Sequence, residues 1–292
     1  MKILLNGKNG QVGWELQRTL ATLGEVVAVD RREMDLANPD SIRHAIRAAR
    51  PDLIVNAAAY TAVDKAEAEP DLAMAINGIA PGIMAEEAGR LGAAMVHYST
   101  DYVFDGTKAT PYAEEDLPNP LNVYGKTKLT GERAVQAAGI PHLILRTSWV
   151  YGLRGRNFLL TVLRLAKERD ELKIVDDQFG APTWSRMIAE ATAQILAQRK
   201  DLDEVGGLCH LTAAGQTSWH GFTRAILDQR DLGSAKPRLA AIPTADYPLP
   251  APRPHHSGLD NTKLRQTFGL ALPAWDAALK LCGEEISPAG TN

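Results

Sequence analysis

Short apolar runs alternate with amphipathic stretches through the first half of the chain. Residues 3–5, 25–29, 53–56, 94–98 and 142–146 read as buried strands. Between them, 11–23, 39–50, 72–91 and 126–138 place their apolar positions at helical spacing. Strands with no polar face, each separated from the next by a helix, predict a parallel sheet covered on both sides. Right-handed crossovers then give an α/β, Rossmann-like doubly wound fold.

After Trp149 the pattern changes. Helices are expected over 157–169, 184–198 and 219–229, and residues 258–268 and 274–281 close the chain. Residues 235–254 contain six prolines and are expected to be extended or looped. This divides the chain into a dinucleotide-binding part, 1–150, and a smaller, mainly substrate-binding part, 151–292. A strand over 172–176 could return to the first sheet. The last six residues are expected to fray.

Composition narrows the class. The 292 residues are 45% hydrophobic and 23% charged, enough for a sizeable core. The net charge is −3 with no long basic tract, which argues against a nucleic-acid platform. Two cysteines, Cys209 and Cys282, are too few for a disulfide framework. The amino terminus lacks the apolar core of a secretory signal, and no run approaches the length of a membrane span. A soluble, cytoplasmic protein is expected.

The first strand runs into Gly7-Lys8-Asn9-Gly10-Gln11-Val12-Gly13 and then a helix. Glycines in such a turn let backbone N–H groups approach a pyrophosphate at the helix N-terminus. The spacing is Gly-x-x-Gly-x-x-Gly, and a tight turn without a ligand is the plain alternative. Asp30 ends the second strand, where a carboxylate holds a ribose 2′-hydroxyl and favours NADH. Arg31 and Arg32 follow and could hold a 2′-phosphate instead, so NADH and NADPH stay open. Asp35 and Leu36 lie where an adenine ring could rest. The third strand ends in Asn56-Ala57-Ala58-Ala59-Tyr60-Thr61, whose small side chains leave room for a cofactor or for close helix packing.

Tyr124 and Lys128 stand four residues apart, on one face of a helix. A tyrosine phenol titrates near ~10, and a nearby ammonium would stabilise the phenolate and lower that value. Lys128 could also hold the nicotinamide ribose, and Thr100, at the end of the fourth strand, the substrate carbonyl. A packed tyrosine and an exposed lysine at helical spacing are the common alternative; the glycine turn and Thr100 favour the chemical reading. Asp64, Lys65, Glu67 and Glu69 read as a solvated helical face, and His255-His256 as surface. Arg253, in the proline-rich segment, is a basic partner for a nucleotide diphosphate or an ordinary surface arginine.

Six blocks carry a family resemblance: 56–67 (NAAAYTAVDKAE), 99–106 (STDYVFDG), 124–128 (YGKTK), 146–152 (RTSWVYG), 177–183 (DQFGAPT) and 253–259 (RPHHSGL). Together they resemble the extended short-chain dehydrogenase/reductase family, most closely its dTDP-4-dehydrorhamnose reductases, over nearly the whole chain. The resemblance implies reduction of the C4 keto group of a dTDP-6-deoxy-hexulose by NADH or NADPH. It implies a triad of Thr100, Tyr124 and Lys128, with Tyr124 as proton donor. It places Gly10, Gln11, Val12, Asp30, Asp35, Leu36, Ala59, Tyr60 and Thr61 on the cofactor, and Thr100, Asp101 and Trp149 on the dTDP-sugar. Some relatives form homodimers through magnesium, and Glu15 and Glu190 look like matching ligands.

Two other functions compete. An epimerase or dehydratase would use the same scaffold, but the dehydratase Asp-Glu pair is absent because Tyr102 follows Asp101. A non-catalytic regulatory subunit would not need the intact Tyr124 and Lys128.

Overall fold

The expected alternation is present, and its strands meet in one parallel sheet. The computed structural model describes residues 1–198, 202–229 and 236–286. In chain order the strands are β1 (Lys2–Asn6), β2 (Glu25–Val29), β3 (Leu53–Asn56), β4 (Ala94–Thr100), β5 (His142–Thr147), β6 (Val150–Tyr151), β7 (Glu171–Val175), β8 (Phe179–Gly180), β9 (Thr183–Trp184), β10 (Gly207–His210), β11 (Thr217–Ser218) and β12 (Arg238–Ile242). The helices are α1 (Gln11–Thr19), α2 (Pro39–Ala49), α3 (Val63–Ala66), α4 (Pro70–Met74), α5 (Ala80–Leu91), α6 (Val123–Ala137), α7 (Phe158–Glu168), α8 (Ser185–Ala197), α9 (Leu202–Val205), α10 (Trp219–Asp228), α11 (Thr262–Phe268) and α12 (Trp275–Ile286).

The main sheet has the order β10-β5-β4-β3-β1-β2. β1 lies between β2 and β3, with Leu4 opposite both Val27 and Ile54. Strand order therefore reverses beside β1, and a crevice opens above the carboxyl ends of β1 and β3. Alternate residues of each strand enter opposite layers. Ile3, Leu5, Val55 and Leu145 pack with Leu16 of α1 and Ile188 of α8. Leu4, Ile54, Met95 and Ile144 pack with Ile42 and Ile46 of α2 and Met84 of α5. Each such buried aliphatic side chain contributes about 1.5–3 kcal/mol of transfer free energy.

The second half of the chain both builds its own core and completes the first. Tyr151, Leu159, Trp184, Phe222 and Leu279 form a separate cluster. α8 faces the first sheet, and β10 joins that sheet beside β5, with Cys209 opposite Leu145. β7 instead pairs with β12, Leu172 opposite Leu239. The strand expected to return is thus not the one that does: β10 is four residues long and carries Cys209 and His210, which hides its pattern. β12 forms inside the segment expected to be extended or looped, bracketed by Pro237 and Pro243.

The helix expected over 72–91 is α4, a π-helical turn Ala75–Ile79, and α5. Pro81 has no N–H to give the carbonyl four residues earlier, so the regular ladder cannot pass that point. α6 starts at Val123, three residues before its expected start. Asn122 caps it by accepting from the Gly125 N–H at 2.8 Å, and Glu67 accepts from the Val123 N–H at 2.8 Å. No described helix is long and apolar enough to cross a membrane. The six terminal residues expected to fray lie outside the described residues.

Candidate active site

The glycine turn is built by close approach. Gly7 has φ +78°, and a Cβ there would stand 2.9 Å from the Ala58 nitrogen. Its carbonyl accepts from the Gly10 N–H at 2.9 Å, and a Cβ on Gly13 would collide with that same carbonyl. The three-residue spacing therefore seats α1 directly on the turn. Gly13→Ala is expected to destabilise the fold by about 1–3 kcal/mol through overpacking; a chemical-denaturation midpoint equal to the wild type would contradict this.

Beside the turn lies a cavity of about 670 Å³. Of the residues expected at the cofactor, Gly7, Gly10, Asp30, Asp35, Leu36, Ala58, Ala59 and Tyr60 line it. Gln11, Val12, Gly13, Thr61, Tyr124 and Lys128 do not. The Gln11 side chain accepts from Asn157 at 2.9 Å and donates to the Val150 carbonyl at 3.5 Å, Val12 packs into the core, and Thr61 is exposed. The Asp30 carboxylate accepts from the Arg32 N–H at 2.9 Å and from Asn9 at 3.1 Å. The Arg32 N–H, with Lys8 and Asn9, holds its pKa below the usual carboxylate range.

Several positioning residues gave no sequence signal. The buried Asn6 joins β1 to β3 by accepting from the Ala57 N–H at 2.9 Å. Asn77, in the π-helical turn, accepts from the Tyr60 N–H at 2.8 Å and donates to the Tyr60 carbonyl at 3.0 Å and Thr127 at 3.2 Å. It ties the cavity wall to α6. Isolated asparagines have no periodicity, so only the fold reveals them.

Thr100, Tyr124 and Lys128 converge near the carboxyl end of β4. Thr100 caps the short turn that follows, accepting from the Tyr102 N–H at 3.1 Å. Tyr124 lies in the first turn of α6, its ring edge-on to Tyr102 with centroids 5.8 Å apart. Lys128 is 2% exposed; its ammonium donates to the Tyr98 carbonyl at 2.6 Å and lies 3.4 Å from His97 Nε2. Burial lowers its pKa to about 8, against the opposing pull of Glu132.

The expectation that this ammonium acidifies Tyr124 is not met. Burial pushes the phenol up to about 12, with the Thr100 hydroxyl favouring the phenolate and the Asp101 charge opposing it. The Lys128 charge is spent on the β4 backbone and His97 instead. Asp101 is buried beside Thr100, and burial raises its pKa to about 7. Under this cluster Arg146 and Glu132 form a buried two-pronged ion pair at 2.7–2.8 Å.

On the other side, Trp149 adopts φ +46°, unusual for a bulky residue. Its indole stacks on Trp219 with centroids 3.5 Å apart, so one ring face is already covered. Arg253 is held by both oxygens of Asp64 at 2.7 Å. The solvated face expected over 64–69 is therefore corrected. Asp64 orients Arg253, Glu67 caps α6, and Glu69 accepts from Tyr60 at 2.7 Å and pairs with Lys65 at 2.7 Å. Of the two histidines expected at the surface, His255 is exposed, whereas His256 is half-buried and stacks on Phe179 with centroids 5.2 Å apart.

Within one chain the two expected magnesium ligands, Glu15 and Glu190, do not gather with a third carboxylate among the described residues. Glu15 pairs with Arg186 at 3.4 Å, and Arg186 also bonds Glu285. Among the described residues no group of three or more His, Cys, Asp or Glu side chains could hold a metal.

A glycine-floored crevice at the strand-order reversal, next to a tyrosine-lysine helix, is an arrangement that can seat a dinucleotide and deliver a proton. The profile of the RmlD substrate binding domain matches residues 1–287. The chain belongs to this family. A dTDP-4-dehydrorhamnose reductase of Burkholderia thailandensis is 52% identical to this RmlD-family chain, covering 98% of it and 99% of the relative. A crystal structure of a dTDP-4-dehydrorhamnose reductase from Clostridium acetobutylicum superimposes with TM-score 0.92 at 38% identity, covering 99% of this chain and 100% of that one. One from Bacillus anthracis, in complex with NADP, gives 0.90 at 33% identity over 97% and 99%.

Proposed function

We propose that this protein is a dTDP-4-dehydrorhamnose reductase. It reduces the C4 keto group of dTDP-4-dehydro-6-deoxy-L-mannose to give dTDP-L-rhamnose, with NAD(P)H as reductant. The observation that carries the reading is the convergence of Thr100, Tyr124 and Lys128 beside the glycine-floored cavity, in a chain of this family. The cavity suits a dinucleotide: backbone approaches it at Gly7 and Gly10, and small side chains at Ala58 and Ala59 leave it open.

NAD(P)H, when bound, supplies the hydride that reaches C4. Tyr124 supplies the proton to the carbonyl oxygen, and its raised pKa keeps the phenol protonated at neutral pH. Thr100 orients that oxygen. Lys128 keeps a positive charge beneath the site and would turn from the Tyr98 carbonyl to hold the nicotinamide ribose. Arg253, oriented by Asp64, meets the diphosphate, and the free edge of Trp149 meets the sugar. The oxidised cofactor leaves after each turnover, unlike the retained NAD of an epimerase. Loss of NADPH absorbance with a dTDP-4-keto-6-deoxy sugar tests the reading; no oxidation with any such sugar, or stoichiometric NAD in the purified protein, would sink it.

NADPH is the favoured donor. Arg31 and Arg32 line the cavity next to Asp30, where a 2′-phosphate would meet two guanidinium groups. Replacing both arginines with alanine is expected to raise KM for NADPH about tenfold with little change for NADH. Equal changes for the two cofactors would contradict the assignment.

A further inference from the structure

The Thr100 hydroxyl has one proton, and the Asp101 carboxylate and the Tyr124 phenol oxygen both stand where they can take it. Thr100 Oγ1 donates to Asp101 Oδ1 at 3.0 Å and accepts from the Tyr102 N–H at 3.1 Å. With Asp101 ionised and taking that proton, the hydroxyl has nothing left to donate, and its remaining lone pair can only accept, from the Tyr124 O–H and not from a carbonyl oxygen. A neutral Asp101 reverses the bond. Its carboxyl O–H then donates to Thr100, whose two lone pairs are filled by Asp101 and the Tyr102 N–H, and the threonine proton is freed for the substrate.

We propose that Asp101 decides whether Thr100 can hydrogen-bond the substrate carbonyl, and that the reductive step uses the protein with Asp101 neutral. This rests on the reductase reading and makes Asp101 a positioning residue acting through Thr100. The surroundings fit. Asp101 is 2% exposed, its Oδ2 has no hydrogen-bond partner, and no cation pairs with it among the described residues. The groups around it are the phenols of Tyr102 and Tyr124 and the Ser257 hydroxyl. The nearest cations are committed elsewhere: Arg253 to Asp64 and Lys128 to the Tyr98 carbonyl. Burial outweighs the Thr100 and Ser257 hydroxyls and raises the carboxyl pKa to about 7, so both states are reachable near neutrality.

The proposal separates Asp101 from a plain sugar-binding carboxylate. An ionised Asp101 accepting a sugar hydroxyl through Oδ2 would bind better as pH rises. The gating role requires the opposite, a kcat/KM that falls about tenfold per pH unit above the Asp101 limb. Asparagine at 101 can donate an amide N–H to Thr100 at any pH. Asp101→Asn is therefore expected to be a few-fold slower than wild type on the acid side and to lack the limb near neutrality, keeping only the later fall above about pH 8 that follows loss of the Lys128 proton. It should consequently overtake the wild type at mildly alkaline pH. The experiment is a pH series of NADPH oxidation with a dTDP-4-keto-6-deoxy sugar for the wild type, Asp101→Asn and Thr100→Val. Thr100→Val should lose both the rate and the limb. An Asn variant with the wild-type limb, or with only a raised KM for the sugar, overturns the gating role.

A second measurement does not depend on turnover, and its main readout uses the wild-type protein alone. Infrared spectra of the wild-type protein without substrate should contain a protonated-carboxyl C=O band that disappears as pH rises through neutrality, and that Thr100→Val shifts in frequency. No such band overturns the proposal. If the wild type turns over no dTDP-sugar at any pH, the reductase reading fails instead, and the infrared result still decides the state of Asp101.

Discussion

Tyr124→Phe is expected to lower turnover of a dTDP-4-keto-6-deoxy sugar by about 10²–10⁴-fold, the usual contribution of a positioned proton donor. The substitution removes one oxygen and leaves the ring, so the edge-on contact with Tyr102 and the packing of α6 persist. Cofactor affinity should stay within about threefold, because the cavity that receives the dinucleotide is lined by other residues. The loss falls on kcat, since the phenol acts where charge develops on the carbonyl oxygen. Stopped-flow NADPH oxidation, with NADPH titration by fluorescence, separates the two readouts. A Phe variant with wild-type kcat would remove Tyr124 from the mechanism.

Fold and site were legible to different depths. β2 and β3 were readable to the residue because short apolar runs, 26–29 and 53–55, sit between turn signals. β10 was not, since four residues including Cys209 and His210 carry no period. The start of α6 depended on Asn122 and on Glu67, fifty-six residues away, and no local window holds the second. Tyr124, Lys128 and Thr100 were visible as types at workable spacings. Their electrostatics were not, because the direction of a pKa shift depends on burial and on partners that only the fold supplies. The Tyr98 carbonyl and His97, which take the Lys128 ammonium, illustrate this: both belong to a strand read only as apolar. Asp64 and Arg253 were seen separately, one as a solvated residue and one as a ligand contact; they are 189 positions apart and bound to each other.

Lys128→Met is expected to cost activity and return stability. Cofactor affinity and kcat should both fall, kcat by about 10²–10³-fold, as a charge beside the ribose is lost and the β4 end that carries Thr100 loses the ammonium that holds its backbone. The fold should respond in the other direction. The buried ammonium has a pKa lowered from 10.5 to about 8. A base whose folded pKa lies below its unfolded value binds its proton more readily in the unfolded chain. The penalty is therefore fully present below pH 8 and disappears as pH rises towards 10.5. A shift of this size corresponds to about 3 kcal/mol of destabilisation at neutral pH. Methionine removes that penalty and fills similar volume, but strands the Tyr98 carbonyl at a cost of about 1–3 kcal/mol. The net expectation is a variant roughly 1 kcal/mol more stable than wild type at pH 7, a rise of a few degrees in melting temperature. Its advantage should shrink through the alkaline window, because only the wild type gains stability there. Denaturant titrations across neutral to alkaline pH measure this directly. A difference between the two proteins that does not change with pH would mean that Lys128 is not a buried, charged group in the folded state, and would remove the electrostatic basis for its role beside Tyr124.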